Sequence, residues 1–551
     1  MFGAVLIAAT LAIASMPASA RPVVAVDEDR QLDAYVRARM AEGDRELLAA
    51  ASAYREAVTL DPDSVEIAAR GYRQAVLAGD KALALRAAQG LETAGTLPRD
   101  GTILLLIDAL DNRQWDDARG LVDRIEKEQN LAFVVPFMRS WISMRDGPYD
   151  PPNVGVGEPY AVFAVRYLEE QLLLQRLALE DVAGAADAYQ RAVERGMAMG
   201  PAERWLIAAK FDDLGRKDLA LDIVSPDMSE DADGRALLSR ARKLYRKTEI
   251  TPQTGLAMLM YRLALDLFGH GEDNATLSIA RMASFADADN DDVRLSVMRA
   301  ALAADFPDVV VTESIRISRN SPGWQNSQAL RLRGLMAQGE GDLAVSQARQ
   351  LAASVDDPQM WRLLGDVVIR TGDFAAAADA YSKARALTKG DEDPGLLLQL
   401  GGALEQAGQW QEARPLLEKV ITLAPDSAAA LNHLGYALAD RKEDLPRAIA
   451  LLEKANTLRP DEPAFVDSLG WAYHRAGDQA KALPLIQSAV AAEPGNAELN
   501  EHLGDILWAM GRHFEARYAW RAALAGLEDD NPPLRARVEQ KLNDAGIKTP
   551  S

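Results

Sequence analysis

Residues 465–505 read FVDSLGWAYHRAGDQAKALPLIQSAVAAEPGNAELNEHLGD, and this stretch decides the fold because it spans one full period of a repeating pattern. A leucine–glycine pair returns at steps of 34 to 36 residues, with its glycine at Gly365, Gly401, Gly435, Gly470 and Gly504. About twelve residues after each glycine the chain carries an alanine, at Ala377, Ala413, Ala448, Ala482 and Ala516. A large apolar residue follows four positions later, at Tyr381, Leu417, Leu452, Ile486 and Trp520. A second, smaller residue comes three positions further on, at Ala384, Val420, Ala455, Ala489 and Ala523.

The small residues of this pattern predict pairs of helices that cross closely, because a larger side chain at these positions would hold the helices apart. We expect the large apolar residue to fill the space between neighbouring repeats. Proline ends a helix because it lacks the N–H group and clashes with the preceding turn. Three units are closed in this way, at Pro425, Pro460 and Pro494. Glycine permits the left-handed backbone that tight turns often need. We place four such turns, at Gly372, Gly408, Gly477 and Gly511.

A helix-turn-helix unit with a 34-residue period is the tetratricopeptide repeat, and residues 340–530 resemble that superfamily. Weaker copies of the pattern lie upstream, for example over residues 47–60, 114–118, 185–192 and 331–348. The resemblance implies an all-α protein: an α-solenoid of helix-turn-helix units that forms a right-handed superhelix. We find no convincing alternating strand pattern.

The chain is expected to contain six segments. Residues 1–20 join an uncharged apolar run to Ala18-Ser19-Ala20, a pattern that predicts a secretory signal peptide cut before Arg21. No lysine or arginine precedes the run, so retention as an anchor stays open beside cleavage. Degenerate repeat-like helices are expected over 21–145 and 160–339, separated by an exposed loop rich in proline and glycine at 146–159. The C-terminal array follows at 340–530, with a last helix and tail at 531–551.

Composition narrows the classes of partner. The formal net charge is −21, and an acidic surface disfavours nucleic acids and anionic lipids, which need a basic footprint. We identify no lysine- or arginine-rich run that overrides this charge, and we expect a preference for basic protein segments. Cysteine is absent, which removes disulfides, thiolate zinc sites and cysteine nucleophiles. A cysteine-free chain suits an oxidising periplasm.

No catalytic motif is present in the sequence. A phosphate-binding glycine loop, a GxSxG elbow and an HExxH pair are all missing, and no two of the five histidines stand four residues apart. We therefore expect neither an enzyme nor a bound metal or cofactor.

In tetratricopeptide repeats the first helix of each pair lines the concave groove, so the resemblance implies a set of protein-binding residues. They are Asn432, His433 and Tyr436 in one repeat, Asp467, Trp471, His474 and Arg475 in the next, and Glu501, His502, Asp505 and Trp508 in the last. Exposed aromatic residues beside polar ones are typical of binding surfaces. Alternatively, Trp471 and Trp508 pack against the adjacent repeat. Only Asn432 matches the lysine–asparagine clamp with which some members bind a terminal carboxylate.

Three segments point to a narrower resemblance: residues 465–471, residues 501–505 with Trp508, and residues 515–517 with Trp520. They resemble the C-terminal repeats of proteobacterial envelope proteins, including tetratricopeptide-repeat lipoproteins that act as adaptors for a periplasmic carboxy-terminal processing protease. The lipidation cysteine of those adaptors is missing here. The resemblance implies a periplasmic scaffold or adaptor for envelope or secreted clients, presented to an envelope protease. Two alternatives remain: an assembly factor for outer-membrane or polysaccharide machinery, and an enzyme with an unrecognised site in the N-terminal half.

Overall fold

A computed structural model describes residues 28–155, 160–224, 232–355, 357–527 and 532–546. All regular secondary structure in these ranges is helical, which confirms the all-α prediction. None of the helices in these ranges is long and apolar enough to cross a membrane. The predicted signal peptide lies outside the described residues, as do positions 156–159 of the predicted loop. The chain divides into two compact units, residues 1–339 and 340–551.

The described part of the first unit forms helices that we label α1 to α17. They are α1 (Glu28–Gly43), α2 (Leu47–Leu60), α3 (Val65–Ala78), α4 (Lys81–Thr93), α5 (Gly101–Asp111), α6 (Trp115–Glu128), α7 (Val135–Asp146), α8 (Ala161–Ala178), α9 (Val182–Glu194), α10 (Pro201–Asp213), α11 (Lys217–Val224), α12 (Ala232–Tyr245), α13 (Pro252–Leu267), α14 (Asp273–Ala286), α15 (Asp291–Ala303), α16 (Pro307–Ser314) and α17 (Trp324–Ala337). A short 3₁₀ helix, Ala132–Val134, precedes α7.

The second unit continues the numbering from α18 to α29. Its helices are α18 (Gly341–Ser354), α19 (Pro358–Val368), α20 (Phe374–Leu387), α21 (Pro394–Gln406), α22 (Trp410–Leu423), α23 (Ala428–Asp440), α24 (Leu445–Leu458), α25 (Pro463–Arg475), α26 (Gln479–Ala492), α27 (Ala497–Ala509), α28 (His513–Ala525) and α29 (Pro532–Asp544), with a 3₁₀ turn Ile369–Thr371 after α19. Helices α19 to α28 pack as five consecutive pairs, each pair corresponding to one predicted repeat.

The close crossing within each pair is confirmed. A methyl group built on Gly470 of α25 would lie 2.8 Å from the side chain of Ile486 in α26, and one on Gly435 of α23 would lie 2.6 Å from Leu452 in α24. The large apolar residue therefore fills the space above the glycine of its own pair. Its predicted role between neighbouring repeats stays a prediction. The five recurring alanines, each the fourth residue of its second helix, are fully buried.

The turns also follow the predicted pattern. All four predicted turn glycines have positive φ, between 76° and 86°, as a left-handed turn requires. Pro425 comes two residues after the end of α22, and Pro460 and Pro494 stand in the same relation to α24 and α26. The pair α23–α24 lacks a turn glycine. Its connection instead places Lys442 and Asp444 at positive φ.

Helix α13 is buried inside the first unit. All eight residues from Thr254 to Tyr261 are buried, and because this run covers two helical turns, every face of the helix is covered. It contacts α5, α7, α8 and α15. The indole N–H of Trp141 in α7 donates to Oε1 of Gln171 in α8 at 2.8 Å, next to Gly255 of α13.

Helix α14 packs against α3 and α5. Arg281 of α14 is buried and donates to the main-chain carbonyls of Leu77 and Ala78 at 3.0 and 3.1 Å, at the C-terminal end of α3. Its guanidinium also bonds Glu313 of α16 at 2.6 Å. Helices α13 and α14 thus cover faces of α3 and α5 that an open array would leave free. The division into degenerate repeat-like helices over 21–145 and 160–339 stays a prediction.

Candidate protein-binding site

A cavity of about 320 Å³ lies on the first helices of three consecutive pairs in the second unit, α23, α25 and α27, beside the end of α21. We call it the α23–α27 cavity. It is lined by Glu405, Gln406, Ala429, Asn432, His433, Tyr436, Ala437, Ala464, Phe465, Asp467, Ser468, Asn496, Glu498 and Leu499. Four of the eleven predicted site residues are among these: Asn432, His433, Tyr436 and Asp467.

Hydrogen-bond acceptors dominate the polar lining of the cavity. The buried Oδ1 of Asn432 has no hydrogen-bond partner among the described residues, an arrangement that a donor from a bound molecule would complete. Glu498 adds an exposed carboxylate at the rim. Burial raises the pKa of the Tyr436 phenol and lowers the pKa of His433, so both side chains are neutral near neutral pH. Among the described residues, the lining thus offers negative charge and one unpaired acceptor, and it includes no lysine or arginine.

An aromatic stack forms the wall behind this lining. The ring of His502 stacks on the indole of Trp471 with 4.2 Å between centroids, and its Nδ1 lies 2.9 Å from both carboxylate oxygens of Asp467. His474 stacks on the same indole at 5.0 Å, with the Arg475 guanidinium over it. Burial lowers the pKa of His502, but the charge and hydrogen bond of Asp467 outweigh it, so the pKa is raised.

The stack answers the question left open about Trp471. Only 7% of its surface is exposed, so the alternative in which it packs against the adjacent repeat is correct for this residue. Our description of it as an exposed aromatic is wrong. The sequence alone could not distinguish an exposed groove residue from a residue packed between repeats. Where neighbouring first helices touch, the same repeat position serves both roles.

The last repeat is covered by α29. Glu501, with 2% of its side chain exposed, pairs with Arg537 at 2.6 Å and Lys541 at 2.8 Å, and Lys541 also reaches Asp505 at 2.6 Å. Trp508 stacks on His513 at 4.1 Å between ring centroids, at the α27–α28 contact. These predicted site residues therefore make intramolecular contacts.

Two cavity carboxylates were missed by the sequence analysis, although the repeat register contains them. Glu405 follows Leu400 by the same five residues that separate His474 from Leu469. Glu498 precedes Leu503 at the first groove position of the last repeat. The repeat register would have located Glu405 if it had been extended one repeat upstream. It would have located Glu498 if every groove position of the last repeat had been used.

The first unit contains buried carboxylates, which bear on the enzyme alternative. Glu203 is 2% exposed and its Oε2 lies 2.7 Å from Arg262, while its Oε1 has no partner among the described residues. Burial raises the pKa of Glu203. The cavity beside it measures about 80 Å³, room for a few water molecules at about 30 Å³ each and far below the ~300 Å³ of small-molecule sites. Arg262, the partner of Glu203, also lines a larger cavity of about 470 Å³ together with Glu170, so the enzyme alternative stays a hypothesis. Within the described residues, no three histidine or carboxylate side chains lie close enough together to bind a metal ion.

The consecutive helix pairs of the second unit, with a cavity on their first helices, define this unit as a helical-repeat array. Comparison with family models identifies the type of repeat. The model for the tetratricopeptide repeat matches residues 330–394, 398–463 and 468–532. The C-terminal repeats are thus tetratricopeptide repeats, which confirms that resemblance. Such repeats typically serve as non-enzymatic scaffolds for other proteins.

Several solved structures are similar to the chain. A thermophilic tetratricopeptide-repeat protein of Thermus thermophilus is 24% identical over 34% of this chain and 99% of its own, with a TM-score of 0.31. One chain of the APC/C hetero-tetramer Cut9–Hcn1 is 15% identical over 93% of this chain and 96% of its own, with a TM-score of 0.41. MamA of Desulfovibrio magneticus RS-1 is 24% identical over 32% and 99%, with a TM-score of 0.27. No curated protein sequence matches the chain.

Proposed function

We propose that this protein is a periplasmic scaffold or adaptor and that its α23–α27 cavity binds a segment of a partner protein. The observation that carries the proposal is the unpaired acceptor on Asn432 inside a cavity of about 320 Å³, on consecutive first helices of tetratricopeptide repeats. A cavity of this size accepts one or two side chains.

The lining specifies the chemistry of the partner segment. Phe465 and Leu499 provide apolar surface, while Asn432, Glu405 and Glu498 provide acceptors and negative charge. Glu405 is already paired with Arg441 at 2.6 Å, which leaves Asn432 and Glu498 for the ligand. A lysine or arginine next to an apolar residue satisfies this lining, because charge-assisted hydrogen bonds to a carboxylate are about twice as strong as neutral ones.

The envelope setting rests on the sequence. The apolar run and Ala18-Ser19-Ala20 support export, and the absence of cysteine fits an oxidising compartment. The three C-terminal segments that resemble protease adaptors support a role in which the bound client is presented to an envelope protease. In this role the protein supplies the docking surface and the protease supplies the chemistry.

Site-specific photo-crosslinking in the native cell tests the proposal. A crosslinking residue replaces Asn432 in the cavity or, as the matched control, the exposed Ala450 on the second helix α24. We expect an envelope or secreted protein to be captured from position 432 and not from position 450. Equal capture from both positions, or capture of cytoplasmic proteins only, would overturn the proposal.

A further inference from the structure

Helix α12 and the turn after it carry a strong local positive charge. Residues 234–248 contain no aspartate or glutamate, and their six cations are Arg235, Arg240, Arg242, Lys243, Arg246 and Lys247. The chain as a whole has a formal net charge of −21. Our expectation that no basic run overrides the acidic surface is therefore wrong for this helix.

The helix presents these cations outward. Leu238 and Ala241 are buried on the side of α12 that packs against α10, while Arg242, Lys243 and Arg246 are exposed. Together with Lys217 at the start of α11, they surround a cavity of about 340 Å³, which we call the basic cavity. Its lining is Asp212, Lys217, Arg235, Leu238, Ser239, Arg242, Lys243 and Arg246.

The residues that the structure describes neutralise only part of the positive charge of the basic cavity. Asp212 is its one lining carboxylate, and it pairs with Arg242 at 2.9 Å. Arg246 stands 3.9 Å from Asp213. Lys217 and Lys243 form no ion pair with any residue that the structure describes. Within the described part of the chain, the ammonium groups of Lys217 and Lys243 are thus unpaired, and Ser239 adds a hydroxyl.

Charge and shape together favour one kind of occupant. Screening by physiological salt limits the range of exposed charges to about 8–10 Å. A short anionic segment in the basic cavity therefore interacts mainly with the cations of α12. A nucleic acid or a membrane surface extends much farther, and the formal net charge of −21 on the whole chain disfavours it. The cavity is concave, so a protruding side chain can enter it, whereas the flat surface of a bilayer cannot.

We propose that the basic cavity binds a short acidic segment of a partner protein through its aspartate and glutamate side chains. Arginine forks match carboxylates in a bidentate geometry, and the two unpaired lysines add attraction without strict geometry. This surface is separate from the α23–α27 cavity and selects the opposite charge. The protein would then hold two kinds of segment at two sites.

Fluorescence anisotropy of a labelled oligoglutamate peptide with the full chain tests this proposal. We expect binding that weakens as NaCl rises from about 0.05 to about 0.5 M, since screening shortens the range of the attraction. The triple variant Lys217→Gln/Lys243→Gln/Arg246→Gln should bind at least about tenfold more weakly. It leaves Arg242 in place, so the carboxylate of Asp212 keeps its partner.

The matched control is Lys127→Gln/Arg333→Gln/Lys389→Gln, which removes the same number of lysines and arginines from exposed positions elsewhere. We expect it to bind oligoglutamate like the wild-type chain. Equal losses in the two triple variants would overturn the proposal, because the effect would then follow net charge alone. Vesicles containing phosphatidylglycerol and duplex DNA are run in parallel. Binding of either that depends on the basic cavity, without binding of the peptide, would also overturn it.

Discussion

At the scale of single residues, the recurring glycines determine how close each helix pair can come. Gly470 faces Ile486 at a distance that leaves no room for a side chain. The same relation returns in the other four pairs, each with its own large apolar partner. A substitution at one of these glycines therefore tests the spacing of one pair directly.

We expect Gly470→Leu to destabilise the second unit by roughly 1–3 kcal/mol, because an overpacked core forces side chains from their preferred conformations. The matched control is Gly495→Leu, since Gly495 is exposed and a side chain there meets nothing within 4 Å. Thermal unfolding followed by circular dichroism should show a lower midpoint for Gly470→Leu alone. Similar midpoints for both variants would contradict the close crossing.

His502 provides a residue-scale prediction with a definite sign. Its pKa is raised in the folded chain by Asp467 despite burial, so its contribution to stability is full below the unfolded-state pKa of about 6.5. That contribution is lost as pH rises through the raised value. Burial lowers the pKa of His433 and His474, and their contributions are lost as pH falls.

The contribution of His502 is isolated by comparing wild type with His502→Gln. We expect the difference in unfolding free energy to be larger at about pH 6 than at about pH 9. The groups facing this imidazole are Asp467, Glu498, Glu501, His474 and Tyr436. Denaturant unfolding at the two pH values measures the difference, and an equal difference at both would argue against a protonated His502.

At the scale of elements, α29 completes the last repeat by supplying cations to a buried carboxylate. Glu501 is 2% exposed at its side chain, and Arg537 and Lys541 are its partners. Leaving a buried charge without partners costs up to about 3–5 kcal/mol. The cost should be smaller here, since 57% of the Arg537 side chain is exposed.

We expect Arg537→Gln/Lys541→Gln to loosen α29 from α27, which should appear as faster amide hydrogen exchange in α29 and as a lower thermal midpoint. The control Gln540→Glu/Asn543→Glu changes the net charge equally at exposed positions of the same helix. It should leave both readouts near wild type. Equal exchange in the two variants would mean that the ion pairs do not hold the helix.

The accuracy of sequence reasoning differs between these elements. The pairs α19 to α28 were predictable because the residues that set their spacing lie at fixed separations along the chain. The covering of Glu501 by α29 was not predictable, since Arg537 and Lys541 lie 36 and 40 residues further on with no repeat signal to place them. The α23–α27 cavity was predictable in part. The repeat register located Asn432 and Tyr436 in its lining, but it did not show that Trp471 is buried against the neighbouring repeat.

At the scale of the whole molecule, the two units differ in how their contacts are distributed along the sequence. Pairs α19 to α28 contact mainly their neighbours in the chain, so stability adds up repeat by repeat. In the first unit, Arg281 bonds carbonyls about two hundred residues earlier. No periodic pattern encodes such contacts, which is why the N-terminal half was predicted only as a degenerate series.

Truncation should separate the two cases. We expect residues 340–551 to unfold cooperatively when expressed alone. We expect residues 21–251, which lack α13 and α14, to lose cooperative unfolding because the buried faces of α5 and α7 become exposed. Circular dichroism melts and binding of a hydrophobic dye provide the readouts. A sharp melting transition for residues 21–251, without dye binding, would contradict the central role of α13.

The burial of α13 also limits how this protein can change in length. An array held by neighbour contacts tolerates the insertion or deletion of a whole helix pair, because the new ends meet surfaces like those they replace. The first unit lacks that freedom, since shifting α3 or α5 by one pair would pull them away from Arg281 and from the apolar surface of α13. Duplications should therefore be accepted between α19 and α28 and rejected between α1 and α14.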